Sequence, residues 1–180
     1  MAEIKQIRLC GFAGQGIVLA GTILGYAGIN DGKWVAGSSS YGAAARGGTC
    51  CSDVVISDGL IVYPHIIKAD VLIALSQMAY NEYIKLVNFE NGIVIYDERL
   101  VSVQEVDSLK QVGVSATDLA IRELGSKRVA NIVMLGAAVV MTKMVSKDAL
   151  ISAIDKNVTA RIKDLNLRAV DLGFKLGKWE

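Results

Sequence analysis

The stretch Gly11-Phe12-Ala13-Gly14-Gln15-Gly16 decides the fold, because it separates two segments of opposite character. Before it, residues 4–9 alternate between apolar and polar side chains, which predicts a β-strand. After it, residues 17–27 carry no charge and are too long for another strand, which predicts a buried helix. A strand, a glycine turn and a helix form the opening unit of an α/β sheet. The start of such a helix can dock a phosphate or a carboxylate.

The turn departs from the dinucleotide-binding fingerprint G-x-G-x-x-G. Ala13 and Leu19 stand where glycine is needed to place that fingerprint on Gly11 or on Gly14. The predicted second strand, which begins at residue 33, has no carboxylate at its end to bind a ribose hydroxyl. Three interpretations stay open, in order from the least to the most expected: a dinucleotide site, a bare anion site, and a turn that only packs the strand on the helix.

Composition narrows the class of protein. The formal net charge is +1, and lysine and arginine are scattered along the sequence, so it indicates no basic patch for binding nucleic acid. The first ten residues lack a signal-peptide core, and the longest uncharged apolar stretch, residues 129–142, is too short to span a bilayer. We therefore expect a cytoplasmic protein that does not enter the membrane. Because 52% of the residues are hydrophobic, part of the apolar surface is expected to belong to partner chains.

The cysteines and the one histidine indicate no metal site and no catalytic residue. The sequence contains three cysteines, Cys10, Cys50 and Cys51. Because their number is odd, free thiols are expected rather than disulfides. Because they form no C-x-x-C pair, neither a zinc site nor an iron-sulfur cluster is expected. His65 could act as a general base, but no serine or cysteine nucleophile stands in a recognisable context.

A second informative stretch covers residues 38–48, where serine and glycine surround a single cation, Arg46. A guanidinium framed by glycine suits bidentate recognition of a carboxylate or phosphate, although a solvated surface arginine is the commoner case. If this loop and the Gly11–Gly16 turn both follow strands of a parallel sheet, both lie at its carboxyl edge, where α/β folds bind their ligands.

The remaining strands predict a Rossmann-like α/β fold. Residues 71–75 and 93–96 are continuous apolar runs, as expected for strands covered on both faces, and residues 112–114 predict a short last strand. Residues 49–57 and 60–62, separated by Asp58-Gly59, predict an antiparallel hairpin. The fold class is a single, mostly parallel sheet flanked by helices, with that hairpin added.

Helices are expected between and after these strands. Ser76 and Ser115 are predicted to cap two of them, and Ser146 is predicted to start a third, which runs through Ile154. Residues 129–144 are apolar nearly all round, with Asn131 the one polar residue deep in the run, which predicts a helix buried in this domain or in a subunit interface. Residues 162–176 predict a terminal amphipathic helix. Its apolar stripe is expected to dock on the sheet of this chain, with a partner helix as the alternative.

Two motifs in order resemble those of one known family, the gamma subunits of 2-oxoacid:ferredoxin oxidoreductases. The family pattern G-x-G-G-Q-G is similar to Gly11–Gly16, with Ala13 departing from it. The pattern S-Y-G-x-E-x-R-G-G lacks its glutamate, which is Ala44 here, and otherwise matches Ser40, Tyr41, Gly42, Arg46, Gly47 and Gly48. Further similarity covers five short segments: Ser52-Asp53, Tyr63-Pro64, Ala69-Asp70, Leu75 to Tyr83 and Val129 to Gly136. The resemblance therefore implies one gamma-type domain of the pyruvate/ketoisovalerate oxidoreductase class over residues 1–180.

The resemblance implies a subunit that is inactive alone. Such complexes oxidatively decarboxylate a 2-oxoacid with CoA to acyl-CoA, CO₂ and reduced ferredoxin. A free-standing gamma chain of this length is most similar to the 2-oxoglutarate type, with the pyruvate, ketoisovalerate and indolepyruvate types next. Thiamine diphosphate, Mg²⁺ and the iron-sulfur clusters are implied on the alpha, beta and ferredoxin-like delta subunits. The candidate cofactor-binding residues of this chain are Gly11, Gly14, Gln15, Gly16, Ser40, Tyr41, Arg46, Gly47 and Gly48.

A hypothesis from another class remains beside this one. The chain could be a small anion- or nucleotide-binding α/β module that works alone, and its cysteine content does not separate the two. Genes for alpha, beta and ferredoxin-like subunits beside its own would favour the enzyme complex.

Overall fold

The structure is a computed structural model that describes residues 3–41 and 48–177. Within these residues one sheet contains six strands: β1 (Ile4–Phe12), β2 (Trp34–Tyr41), β3 (Thr49–Ser57), β4 (Val71–Ala74), β5 (Ile93–Asp97) and β6 (Lys110–Val114). The helices are α1 (Ile17–Asn30), α2 (Gln77–Tyr83), α3 (Ala116–Leu124), α4 (Ala130–Thr142), α5 (Lys147–Asn157) and α6 (Ala160–Leu176). Two 3₁₀ turns, Ile84–Leu86 and Lys127–Val129, follow α2 and precede α4. The predicted α/β fold with a mostly parallel sheet is confirmed.

The strand order is β2-β3-β1-β4-β5-β6. Strand β3 runs antiparallel to both of its neighbours, while β1, β4, β5 and β6 pair in parallel. Strands β2 and β3 lie on one side of β1, and the later strands β4, β5 and β6 lie on the other side. The boundary between β1 and β4 is therefore the point where the strand order reverses, which is where open α/β sheets bind ligands.

The hairpin predicted at Asp58-Gly59 is wrong. Residues 60–62 form no strand, and the antiparallel partners of β3 are β1 and β2. Strand β2 is also longer than expected, since it continues through the serines to Tyr41. The Asp-Gly signal marks only a local turn, whereas the long pairings of β3 with β1 and β2 decide where its backbone donors and acceptors are satisfied.

The two faces of the sheet carry different cores. Ile7 and Leu9 of β1 pack with α1 and α4 in the larger core, to which α3, α5 and α6 also contribute. Cys10 points to the other face and packs with Ala79 and Tyr80 of α2. This alternation follows from the two-residue period of a strand.

Helix α4 is buried within this chain, which settles one of the two alternatives for residues 129–144. Helix α6 does not dock on the sheet as expected but packs on α4, where Gly136 and Gly173 allow the two backbones to touch. A Cβ atom on Gly136 would lie 2.6 Å from the carbonyl oxygen of Val170. The glycines of α1 serve a similar purpose, since Gly21 and Gly28 face side chains of β3 and β2 across the helix–sheet contact.

The predicted cap at Ser76 is confirmed, and Ser146 also caps the helix that it is predicted to start. The hydroxyl oxygens of Ser76 and Ser146 accept hydrogen bonds from the backbone N–H three residues later. Ser115 does not cap α3 with its side chain. Asp97 takes that role instead, because its Oδ2 accepts bonds from the backbone N–H and the hydroxyl of Thr117, at 2.9 and 2.6 Å.

Candidate functional site

The Gly11–Gly16 turn needs glycine at three positions for different reasons. Gly14 and Gly16 have positive φ angles of 94° and 74°, which other residues adopt at a cost. Gly11 lies in strand β1, and a Cβ atom there would come within 2.5 Å of the Gln15 side-chain oxygen. Gly14 and Gly16 are therefore required by the backbone conformation, and Gly11 leaves the space that the Gln15 side chain occupies.

Gln15 holds the turn against the neighbouring strand. Its Oε1 accepts a hydrogen bond from Phe12 N at 2.6 Å, and its Nε2 donates to the carbonyl oxygen of Leu75 at 2.8 Å. Because Leu75 directly follows β4, Gln15 ties the carboxyl ends of β1 and β4 together. Both polar ends of this candidate ligand residue are thus engaged within the protein.

Helix α1 begins without a protein cap. Its N-cap residue is Gly16, which offers no side-chain oxygen, and its first turn contains no acidic residue. The first N–H groups of a helix have no partner inside the helix and carry the positive end of its dipole. The start of α1 is therefore suited to an anion, which is one of the three interpretations that the sequence leaves open.

Tyr41 lies at the same edge of the sheet as the glycine turn. Gly11 of β1 and Tyr41 of β2 both pair with Cys50 of β3, because β3 runs antiparallel to each of them. Tyr41 is 68% exposed, and it lines a cavity of about 260 Å³ together with Gly14 and Gly16. Tyr41 and the glycine turn thus share one cavity, although the antiparallel strand β3 lies between β1 and β2.

The remaining candidate residues are not all brought to this cavity. Ser40 points to the opposite face, where its Oγ lies 3.1 Å from the sulfur of Cys51. Gly48 is close to the turn, since its carbonyl oxygen accepts a hydrogen bond from Ala13 N at 3.4 Å. Arg46 and Gly47 lie outside the described residues.

Asn131 is a functional candidate that the sequence marks only as a polar residue in an apolar helix. It sits in the first turn of α4, and its Nδ2 donates to the carbonyl oxygen of Gly16 at 2.9 Å. Its position in an otherwise apolar helix is the signal that could have found it, because buried polar groups need a partner.

The opposite face of the sheet carries a buried ion pair. Arg8 donates from Nε and Nη2 to the two carboxylate oxygens of Asp53, at 2.7 and 2.6 Å, and its guanidinium lies over the ring of Tyr83. The hydrogen bond to Asp53 raises the pKa of Arg8, against the lowering effect of burial. With both of its partners inside the chain, Arg8 joins β1 to β3 and α2 rather than binding a ligand.

The three cysteines are free and buried. Burial raises the pKa of the Cys10 and Cys50 thiols, which keeps them in the unreactive protonated form at neutral pH. In the part of the chain that the structure describes, no three His, Cys, Asp or Glu side chains group together as a metal site. None of its described helices is long and apolar enough to cross a membrane.

Comparison with known proteins identifies the family. The model of the pyruvate ferredoxin/flavodoxin oxidoreductase family matches residues 6–176. The chain is 44% identical over 180 residues to the 2-oxoglutarate synthase subunit KorC of Methanocaldococcus jannaschii, and the alignment covers 97% of this chain and 94% of KorC.

Two solved structures share the fold. The gamma subunit of a keto/oxoacid ferredoxin oxidoreductase from Geobacter sulfurreducens is 37% identical, with a TM-score of 0.85 over 96% of this chain and 98% of that one. The 2-oxoglutarate:ferredoxin oxidoreductase of Magnetococcus marinus, solved with 2-oxoglutarate, coenzyme A and succinyl-CoA, is 21% identical with a TM-score of 0.85. That match covers 97% of this chain and 31% of the larger one. By its sequence and by its fold, this chain belongs to the pyruvate ferredoxin/flavodoxin oxidoreductase family.

Proposed function

We propose that the chain is the gamma subunit of a 2-oxoacid:ferredoxin oxidoreductase that acts on 2-oxoglutarate. The observation that carries this proposal is the 44% identity to a 2-oxoglutarate synthase subunit over nearly the whole of both chains. Three further archaeal subunits of the same name are 34 to 37% identical over at least 96% of this chain. A subunit named for ketoisovalerate is 31% identical, and one named for pyruvate is 30% identical.

The proposed reaction needs groups that we assign to other subunits. The complex converts 2-oxoglutarate and CoA to succinyl-CoA and CO₂ and passes the electrons to ferredoxin, with thiamine diphosphate and Mg²⁺ supplying the decarboxylation chemistry and iron-sulfur clusters the electron path. The alpha, beta and ferredoxin-like delta subunits are the proposed carriers, and the proposed location is the cytoplasm. This chain then forms a single gamma-type domain that completes the assembly.

The glycine turn gives this subunit a part on the CoA side of the reaction. CoA carries several phosphates, and the uncapped start of α1 lies beside an open cavity lined by Gly14, Gly16 and Tyr41. Gly11 and Gln15 hold the shape of the turn. Arg46, Gly47 and Gly48 follow Tyr41 in the motif, and a guanidinium there would bind a phosphate oxygen.

One observation favours the alternative, an anion- or nucleotide-binding module that works alone. The cavity beside the glycine turn is built within this chain, so it does not need a partner to form. In that case the chain would bind its ligand and have no stable association with alpha or beta subunits.

Co-purification tests the proposal. The full chain, tagged and expressed together with the alpha, beta and delta subunits of the same organism, should retain all three on an affinity column and elute with them as one species in gel filtration. The same subunits expressed with the tag alone provide the control. Elution of the chain as a monomer free of the others would overturn the complex and favour the stand-alone module.

A further inference from the structure

Strand β2 is an open edge of the sheet. It stands at one end of the strand order, so β3 is its one neighbour among the described strands. Its eight residues, Trp34–Tyr41, include no charged residue and no proline, and they pair with β3 without a bulge. Edge strands of soluble proteins are usually kept from pairing with other chains by a charge, a proline, a bulge or a covering segment. Strand β2 therefore lacks the usual protections that an edge strand carries in its own sequence.

The hydrogen bonds of the inner strands show which backbone groups of β2 point away from the sheet. The carbonyl oxygen of Cys10 accepts a bond from Leu75 N at 2.9 Å, so Cys10 and Cys51 form a non-hydrogen-bonded pair. Because successive residues alternate, Cys51 exchanges its backbone bonds with Ser40 of β2. The residues between these bonded positions direct their backbone N–H and C=O groups outward, and they include Val35, Gly37 and Ser39. In the described part of the chain, none of these outward groups has a hydrogen-bond partner.

A groove runs beside this edge, between β2 and α1. It measures about 310 Å³, and its described lining comes from α1, β2 and β3 without a residue of another helix. Tyr26 and Ile29 of α1 line it and are 44% and 57% exposed. Among the lining residues only Asp53 is charged, and its carboxylate is paired with Arg8. A groove next to a row of free backbone groups is the arrangement that accepts an added strand, whose side chains fill the groove.

We propose that β2 pairs antiparallel with β2 of a second copy of this chain and joins the two sheets into one. A two-fold axis relates two identical antiparallel strands, so each copy offers the other the same donors and acceptors. The lack of charge favours this occupant, because a symmetric pair brings identical residues together and like charges would repel. Lys33, which precedes the strand, is already paired with Asp58 at 2.9 Å.

The same symmetry explains the exposed side chains of α1. A two-fold axis perpendicular to the joined sheet keeps both α1 helices on the same face. The added strand then extends the sheet by about 4.8 Å beyond β2, below the open side of the groove. Its side chains on the α1 face enter the groove and cover Tyr26 and Ile29.

The length of the edge sets the expected strength of the dimer. Eight residues extend about 27 Å at about 3.4 Å per residue. The sheet and one helix layer are together roughly 15–20 Å high, which gives an interface of roughly 500 Å² per copy. Specific interfaces begin at about 1,000 Å² in total, so this dimer lies at the small end of the range. We expect it to be reversible, with a dissociation constant in the micromolar range.

Sedimentation velocity of the full chain between about 1 and 100 μM tests the dimer, and we expect a shift from monomer to dimer over this range. Gly37→Pro removes one outward N–H from each copy and no bond to β3, so it should weaken dimerisation at least about tenfold. Gly37→Ala is the matched control, because it keeps the N–H and its Cβ lies an ordinary 3.7 Å from the carbonyl oxygen of Asp53. It should dimerise like the unaltered chain. A chain that stays monomeric throughout, or equal dimerisation of the proline and alanine variants, would overturn the proposal.

Amide hydrogen exchange of the unaltered chain, followed by NMR, tests the same edge without a substitution. The outward amides of Val35, Gly37 and Ser39 should exchange several-fold faster after dilution from the dimer to the monomer. The amides of Ala36 and Ser38, which point toward β3, are the internal control and should change little. Exchange that does not depend on concentration would contradict self-pairing. Protection that appears only when alpha, beta and delta subunits are added would assign the edge to a strand of a partner subunit and overturn the proposal. None of these readouts uses enzyme activity, so their failure is distinct from failure of the proposed function.

Discussion

Asn131 Nδ2 donates to the carbonyl oxygen of Gly16 at 2.9 Å, across 115 residues of sequence. This bond joins the first turn of the buried helix α4 to the residue that begins α1. The same contact leaves no room for a side chain at position 16, since an added Cβ would overlap the Asn131 amide. The glycine turn is therefore shaped by the far end of the chain as well as by its own backbone.

Gly16→Ala should destabilise the protein more than a backbone effect alone. Gly32 provides a matched control, because it has the same φ of 74° with no atom within 4 Å of an added Cβ. Gly32→Ala should lower the free energy of unfolding by about 1–2 kcal/mol, from left-handed strain. Gly16→Ala should lower the free energy of unfolding by about 1–3 kcal/mol more than Gly32→Ala, because the added methyl group overlaps the Asn131 amide. Urea unfolding measures both variants, and equal losses would show that the Asn131 contact does not constrain the turn.

Two further alanine substitutions should change the free energy of unfolding in opposite directions, one at the crossing of α4 and α6 and one inside α1. An added Cβ on Gly173 would overlap the backbone of Val133 and lie 2.9 Å from Ala137 N, so Gly173→Ala should destabilise by about 1–3 kcal/mol. Gly25 lies inside α1 with its nearest neighbour, a Val35 methyl, at an ordinary 3.6 Å. Gly25→Ala should stabilise by about 0.5–1 kcal/mol through helix propensity. A stabilising Gly173→Ala, measured by thermal unfolding, would refute the close crossing.

The buried pair of Arg8 and Asp53 should tolerate loss of both partners better than loss of one. Arg8→Met leaves the Asp53 carboxylate unpaired and should lower the free energy of unfolding by about 3–5 kcal/mol. The double variant Arg8→Met, Asp53→Leu removes both charges and should recover most of that loss. Denaturant unfolding of both single variants and the double variant forms the cycle, and additive losses would mean that the two side chains do not interact.

Much of the fold follows from local patterns in the sequence. Uncharged runs predicted α1, the central strands and the buried helix, and alternation predicted β1. Ser76 predicted the cap of α2, and Ser146 predicted the start of α5. The order of the strands could not be predicted, because it depends on which distant strands form hydrogen bonds with the backbone of β3. The cap of α3 also depends on a distant contact. Parallel pairing of β5 with β6 brings Asp97 opposite Val114, close to the start of α3, so Asp97 rather than Ser115 caps this helix.

The glycine positions of the candidate site could be predicted from the sequence, but its polar contacts could not. Gly14 and Gly16 adopt positive φ angles, as a turn between strand and helix demands. The partner of Gln15 is Leu75, which lies 60 residues away, and no local signal connects the two. The unpartnered oxygen of Asn131 depends on packing that only the assembled fold reveals.

Arg46→Ala tests the proposed CoA contact in the assembled enzyme. Loss of a hydrogen bond to a charged group is worth about 1.5–3 kcal/mol, so the apparent constant for CoA should rise roughly 10- to 150-fold while decarboxylation of the 2-oxoacid changes little. Steady-state kinetics with CoA and 2-oxoglutarate varied separately make this distinction, and Arg168→Ala serves as the control on α6. An unchanged CoA constant would discard the phosphate contact, and failure to assemble would assign Arg46 to a subunit interface.

Ferredoxin reduction tests most directly whether this chain completes a 2-oxoglutarate:ferredoxin oxidoreductase. The measurement is the rate of ferredoxin reduction by alpha, beta and delta subunits purified anaerobically, with and without this chain. We predict a rate that requires both 2-oxoglutarate and CoA, exceeds the rate with pyruvate, and is lost when the chain is omitted. The same rate with and without the chain would contradict its proposed role.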